Sequence, residues 1–129
     1  MLTTAACRTL LAAADAEAQR NNWRVTIAIV DAAGDLLCQQ RHDEAAGNTA
    51  DFAHGKARTA ARYRRPTRSM DSTIANGRPH LLAITGILPI EGGLPIQLDG
   101  AVIGGIGVSG ATAAQDAQVA RAGLTALVR

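Results

Sequence analysis

The first half of the chain alternates between helical and extended hydrophobic patterns. Residues 3–21 carry apolar side chains at helical spacing behind a threonine that can cap a helix, which predicts a first helix. Residues 25–31 and 36–41 are rich in β-branched and apolar residues on either side of a glycine turn, which predicts a hairpin of two strands. A stripe of alanines predicts a second helix over 47–64, capped by Asn48 and stopped by Pro66.

The second half predicts further strands and ends in another helix. Thr67 is a candidate cap for a short helix up to Asn76, and the apolar residues 81–84 predict a short strand or a loop. Two strands follow around Asp99-Gly100, a turn pair that favours a hairpin. Thr112 and Gln115 form a capping box for the last helix. This order predicts one α+β domain over residues 1–129, with a mainly antiparallel sheet covered by helices.

Residues 101–109 form a strand with glycines at 104, 105 and 107. Glycine weakens a strand, so this density indicates that something packs very close to the backbone. Two interpretations remain open at this point, a helix crossing tightly over the sheet and a ligand lying on it.

Composition narrows the classes of function. Of the 129 residues 47% are apolar but only 2% aromatic, so the core is expected to be aliphatic, and the net charge of +2 argues against nucleic acid as a partner. No apolar run has membrane-spanning length, and the N-terminus has no pattern of a signal peptide, so the expected location is the cytoplasm. Cys7 and Cys38 can form a disulfide or remain free thiols, and free thiols suit that compartment.

Three groups of residues are candidates for binding an anion. Arg41 and Asp43 share a side if the chain is extended, so they form either a structural ion pair or a site where Arg41 holds a carboxylate by two hydrogen bonds. Lys56 either extends its stem over apolar surface or holds an anion, with Thr59 one turn away as a hydroxyl donor or as a group bonded to its own helix.

The third group is Glu91-Gly92-Gly93, which precedes Pro95. Its glycines can turn backbone N–H groups inward as an anion site, with Glu91 as a general base. A tight turn with a surface glutamate is the alternative.

Several motifs together resemble the GlcG/HbpS-like haem-binding protein family, which includes the C-terminal domain of PduO-type proteins. The matching segments have the same order and spacing along nearly the whole chain: 29–36, Arg41-His42-Asp43-Glu44-Ala45, 56–60, Arg65-Pro66-Thr67, 92–96 and 99–110 with Gln115-Asp116. The resemblance implies a profilin-like sheet of about five strands. It also implies assembly into homo-oligomers, either dimers or larger rings.

The resemblance implies haem or a related tetrapyrrole as the ligand. Haem iron requires an axial ligand, usually histidine, and His42 stands where family members usually carry an apolar residue. His42 is therefore the first candidate for the iron, and Met70 is a weaker one. No two histidines lie at the spacing of a zinc site.

Three functions fit these observations. The first is a tetrapyrrole-binding protein, and the second is a cofactor-independent isomerase, lyase or hydrolase that acts on a small organic acid through Lys56, Glu91 and Arg41. The third is an accessory or assembly subunit. The first two share a ligand that carries a carboxylate, with these expected binding residues: Arg41, His42, Asp43, Lys56, Thr59, Gly92, Gly93 and Pro95. Under both, Lys56→Met is expected to weaken binding and leave the fold intact.

Overall fold

The computed structural model describes residues 1–127, so positions 128 and 129 of the predicted domain lie outside the described range. Four α-helices and four strands are present in this range, together with a 3-10 helix. Their bounds are α1 Thr4–Arg20, β1 Thr26–Asp31, β2 Leu36–Arg41, α2 Asn48–Tyr63, α3 Thr67–Ala75, the 3-10 helix Pro79–Ala83, β3 Gly93–Leu98, β4 Ala101–Ser109 and α4 Ala113–Thr125. The predicted α+β class is confirmed.

The sheet has the order β2-β1-β4-β3, and all of its neighbouring strands are antiparallel. The β3–β4 hairpin turns at Asp99 and Gly100, whose φ angles are 52° and 80°. Positive φ at both central residues is what a two-residue hairpin turn requires, so this part of the sequence interpretation is confirmed. The capping box at Thr112 and Gln115 is confirmed as well.

The sheet has four strands in the described range instead of about five. The apolar residues 81–84, for which the sequence left a strand or a loop open, lie in and just after the 3-10 helix that begins at Pro79. Proline suits the first turn of a helix because it lacks an N–H to donate. Leu82 and Ile84 remain exposed there instead of packing on the sheet.

Helices cover both faces of the sheet. On one face α1 and α4 pack over the larger core, which includes Leu10, Ile106 and Val119. On the other face α2 packs through small residues against Ala28 and Val30. The core is therefore aliphatic, as the low aromatic content predicts.

The glycines of β4 allow α2 to approach the sheet closely. A Cβ at Gly105 would collide with the carbonyl oxygen of Ala57, and one at Gly107 would collide with that of Ala53. The helix interpretation of the glycine-rich strand is therefore correct at these two positions. This contact fixes the height of α2 above the sheet.

Two predicted helix caps are wrong. Gly47, not Asn48, occupies the cap of α2, and Pro66, not Thr67, occupies the cap of α3. The Thr67 hydroxyl instead accepts a hydrogen bond of 2.9 Å from the Gly93 N–H and so connects α3 to the first residue of β3. A bond across 26 residues replaces the local cap.

Candidate functional site

Lys56 is the only lysine of the chain, and its ammonium group is buried. Its side chain is 3% exposed, and Nζ donates to the Val108 carbonyl at 2.9 Å and to Asp116 Oδ2 at 3.0 Å. The interpretation of Lys56 as a residue with its charge in water is therefore wrong. An ammonium group has three N–H donors, and these two bonds use two of them.

Asp116 lies in the first turn of α4 and is held from two sides. Besides Lys56, the Ala111 N–H donates to its Oδ1 at 3.0 Å. Burial raises the pKa of the Asp116 carboxyl, while the Lys56 ammonium and the Ala111 N–H act in the opposite direction, and Glu91 raises it further. A buried ion pair with these bonds is compensated, whereas either partner alone would be costly.

The pair forms the floor of an open cavity of about 320 Å³, here called the Lys56 cavity. Polar groups lie at its base, and the apolar side chains of Phe52 and Ile90 lie on its rim, where they are 41% and 36% exposed. The cavity-lining residues are Asn48, Thr49, Phe52, Lys56, Ile90, Ser109, Gly110, Ala111, Ala113 and Asp116. One opening thus combines an apolar rim with a charged, hydrogen-bonding floor.

The predicted Glu91-Gly92-Gly93 segment lies beside Lys56. A Cβ at Gly92 would lie 2.8 Å from Lys56 Nζ, so only glycine leaves room for the ammonium group. The Gly93 N–H is already bonded to Thr67, and the Glu91 N–H donates to Asp71 at 3.0 Å. Of the two glycine N–H groups expected to face an anion, that of Gly93 is thus committed to another partner.

Thr59 is buried and also committed. Its hydroxyl donates to the Gly55 carbonyl at 2.7 Å and accepts from the Leu88 N–H at 2.8 Å. This arrangement matches the alternative of a back-bond to its own helix. Pro95 is buried too, but it lines a different cavity together with Leu124.

Arg41 and Asp43 are exposed and do not form an ion pair with each other in the part of the chain described. Strand β2 ends at Arg41, and a turn closed by the Ala45 N–H and the His42 carbonyl follows. The guanidinium of Arg41 lies near Gly47, just before the cavity residue Asn48, so Arg41 flanks the cavity without lining it.

His42 is half-buried, and its Nδ1 accepts a hydrogen bond of 3.0 Å from the Glu44 N–H. A neutral ring that accepts at Nδ1 carries its proton at Nε2. Nε2 can bind a metal only after that proton leaves. None of the three histidines lines the Lys56 cavity, and no cluster of three metal-ligating side chains occurs in residues 1–127.

The sequence interpretation missed the partner of Lys56. Asp116 entered it only as part of a motif, and Phe52, Thr49 and Ser109 did not enter as site residues. The signal available was an aspartate directly after a capping box that follows a glycine-rich strand. That signal places a carboxylate near the end of β4, but it does not say which cation it meets.

Comparison with known proteins identifies the family. A model of the family described as "Haem degrading protein HbpS-like" matches residues 2–125. The chain belongs to the HbpS-like family. The protein GlcG of Escherichia coli strain K12 is 42% identical to this HbpS-like chain over 100 residues, which cover 78% of the chain and 75% of GlcG.

Solved structures show the same fold. A double mutant of Streptomyces reticuli HbpS superposes with a TM-score of 0.92 and 36% identity, covering 99% of this chain and 88% of that one. A PduOC–haem complex superposes with a TM-score of 0.89 and 27% identity, covering 98% of this chain and 94% of that one. Within residues 1–127, no helix of this HbpS-like chain combines the length and the apolar character needed to cross a membrane.

Proposed function

We propose that this chain binds haem or a related tetrapyrrole, with a carboxylate-bearing edge of the ring directed into the Lys56 cavity. The observation that carries the proposal is the division of this cavity into an apolar rim and a charged floor. Haem has the same division, since an apolar macrocycle carries two carboxylates. Membership in the HbpS-like family and the likeness to a PduOC–haem complex support this choice of ligand.

Two features favour a carboxylate at the cavity floor. Lys56 has one N–H beyond the two bonds that it makes to Val108 and Asp116. Helix α4 also begins at the cavity, at Ala113, and the first turn of a helix favours negative charge. Asp116 opposes both effects, so a ligand carboxylate is best placed toward Ala113 and away from the Asp116 oxygens.

The iron requires a ligand from outside the cavity lining. His42 stays the first candidate of this proposal, because the segment that carries it leads into Asn48 at the cavity. Ligation at Nε2 would require its proton to leave, and moving that proton to Nδ1 would break the present bond with the Glu44 N–H. Met70 is buried in α3, 4% exposed, and would need a larger rearrangement.

Haemin titration followed by the Soret band tests this proposal with a matched pair of variants. Phe52 and Tyr63 are both exposed aromatic residues of α2, but only Phe52 lines the cavity. Phe52→Ser is expected to weaken haemin binding by about tenfold or more, because a buried aromatic side chain contributes about 1.5–3 kcal/mol. Tyr63→Ser should bind like the unmodified chain.

The same titration examines the iron ligand. His42→Ala is expected to shift or abolish the Soret band, whereas an unchanged spectrum would assign the iron to another group. Equal haemin affinity in the Phe52 and Tyr63 variants would show that haem does not use the Lys56 cavity.

A second candidate function rests on the buried pair itself. A cofactor-independent enzyme for a small organic acid would use Lys56 and Asp116 for proton transfer, because an ion pair in an open cavity can both bind and exchange protons. Arg41 and Glu91 would then act at the edge of the site. Stabilisation of the fold by small carboxylic acids, with no Soret band after addition of haemin, would favour this candidate.

We also propose that the chain forms a homo-oligomer in the cytoplasm. The edge strand β2 exposes Leu36 and Leu37 at 45% and 42%, and burying them would support a small aliphatic core. The two free thiols suit a reducing compartment. Light scattering at micromolar concentration should give a mass of at least twice 13.3 kDa, and a stable monomer would contradict the proposal.

A further inference from the structure

Two cysteines that are 31 positions apart in sequence lie together on the side of the sheet that α1 covers. Cys7 lies in the first turn of α1, and Cys38 lies on β2. Both thiols are free and lie close enough for each to shift the pKa of the other. They also line one cavity of about 290 Å³ with Leu2, Thr4, Arg8 and Leu37.

The surroundings hold both thiols in the protonated form. Burial raises the pKa of Cys7, and burial together with the charge and hydrogen bond of Cys7 raises the pKa of Cys38 to about 11. Peroxide reacts with the thiolate, so these thiols are poorly placed for oxidation near neutral pH. A soft metal ion forms a strong bond to sulfur and can displace the proton, so a raised pKa hinders it less.

We propose that Cys7 and Cys38 bind one soft monovalent cation, Cu(I), between their two sulfur atoms. The ion enters through the cavity, each thiol releases one proton, and two Cu–S bonds form without any transfer of electrons. The product carries one negative charge, which the Arg8 guanidinium on the same cavity offsets in part.

The number of available ligands, two thiols, indicates which class of metal ion can bind. No cluster of three or more metal-ligating side chains occurs within the described residues, and structural zinc sites use four ligands. Thiolates are among the soft ligands that select Cu(I), and the two thiols lining this cavity can supply the two sulfur ligands of a linear site. The site lies among side chains of the α1–α4 core and shares no residue with the Lys56 cavity, so it is independent of the proposed haem binding.

The test is an anaerobic Cu(I) titration of the haem-free chain of 129 residues against a chromophoric Cu(I) chelator. The unmodified chain should take one Cu(I) per molecule. Cys7→Ser and Cys38→Ser should each bind at least about 100-fold more weakly, since losing a ligand exceeds the roughly 10–100-fold cost of losing an outer-shell partner. Circular dichroism and thermal denaturation check that each variant is folded.

Cys38 is half-buried, so Cys38→Ser keeps the test valid if the more buried Cys7→Ser fails to fold. Cu(I) affinity in the folded Cys38→Ser chain equal to that of the unmodified chain would overturn the proposal. A mass spectrum that shows loss of two hydrogens on exposure to Cu(I) or air, with no retained copper, would also overturn it and would identify the pair as a disulfide site.

Discussion

Lys56→Met is expected to lower the free energy of unfolding by about 3–5 kcal/mol, because it leaves the buried Asp116 carboxylate without its cation. This expectation replaces the one from the sequence, in which Lys56→Met leaves the fold intact. Urea denaturation at neutral pH measures the loss. The exposed pair of Arg24 and Glu44, at 3.1 Å, supplies the control, since Arg24→Met should cost less than about 1 kcal/mol.

The loss of unfolding free energy in Lys56→Met should depend on pH and become smaller in acid. Burial raises the pKa of Asp116 above its ordinary value of 3.8, and removing Lys56 removes the main opposing effect. A carboxyl whose pKa is raised in the folded state favours folding most at a pH below its pKa in the unfolded state, where it is protonated. This contribution to stability is lost as the pH rises through its pKa in the folded state. The deficit of Lys56→Met should therefore shrink as pH falls toward about 4.

A double variant separates this explanation from simple loss of packing. Lys56→Met combined with Asp116→Leu removes both charges, so it should recover most of the stability that Lys56→Met loses. Equal stability of the single and double variants at all pH values would contradict the account of a compensated buried pair. A Lys56→Met chain as stable as the unmodified one would contradict it as well.

Gly107→Ala is expected to destabilise the fold by more than about 3 kcal/mol, above the roughly 1–3 kcal/mol of ordinary overpacking. The added Cβ would lie 2.5 Å from the Ala57 nitrogen and would also collide with the Ala53 carbonyl oxygen. Both obstacles are backbone atoms of α2, so no side chain can move aside to relieve them. Thermal denaturation followed by circular dichroism measures the effect.

Gly47→Ala is the matched control for this substitution. Gly47 has φ of −61°, and the nearest atom to an added Cβ is the Arg41 Nη1 at 3.4 Å, the end of a flexible side chain. The free energy of unfolding of the Gly47→Ala chain should change by less than about 1 kcal/mol, as for substitutions at most surface positions. A Gly107→Ala chain that unfolds at the same temperature as Gly47→Ala would show that α2 can move away from the sheet at low cost.

Turns and helix caps that depend only on residues near each other in sequence could be predicted from the sequence. The turn at Asp99-Gly100 needs positive φ at two adjacent residues, and Thr112 and Gln115 cap each other across three positions. The glycines of β4 indicated close approach of another element, and the alanines of α2 supply it. These signals determine the order of elements and the antiparallel class of the sheet.

Contacts between distant residues could not be predicted in the same way. Asp116 is 60 residues from Lys56, and no local pattern pairs them. Threonine is a residue type that often caps helices, but the Thr67 hydroxyl accepts a hydrogen bond from Gly93 because β3 passes beside α3. Residues 81–84 show a short apolar run that does not distinguish a strand from other structures. Strand β2 ends at Arg41 and the chain turns directly after it, so the extended spacing assumed for Arg41 and Asp43 does not apply.

The free edge of β3 offers few backbone N–H donors to another strand. Its Gly93 N–H is occupied by Thr67, and two positions on, facing the same way, Pro95 has no N–H at all. An incoming backbone would therefore find acceptors without donors along the first half of this edge, which discourages uncontrolled strand addition and fibre growth. Continuation of the sheet from one molecule to the next is therefore favoured at β2 over the first half of β3.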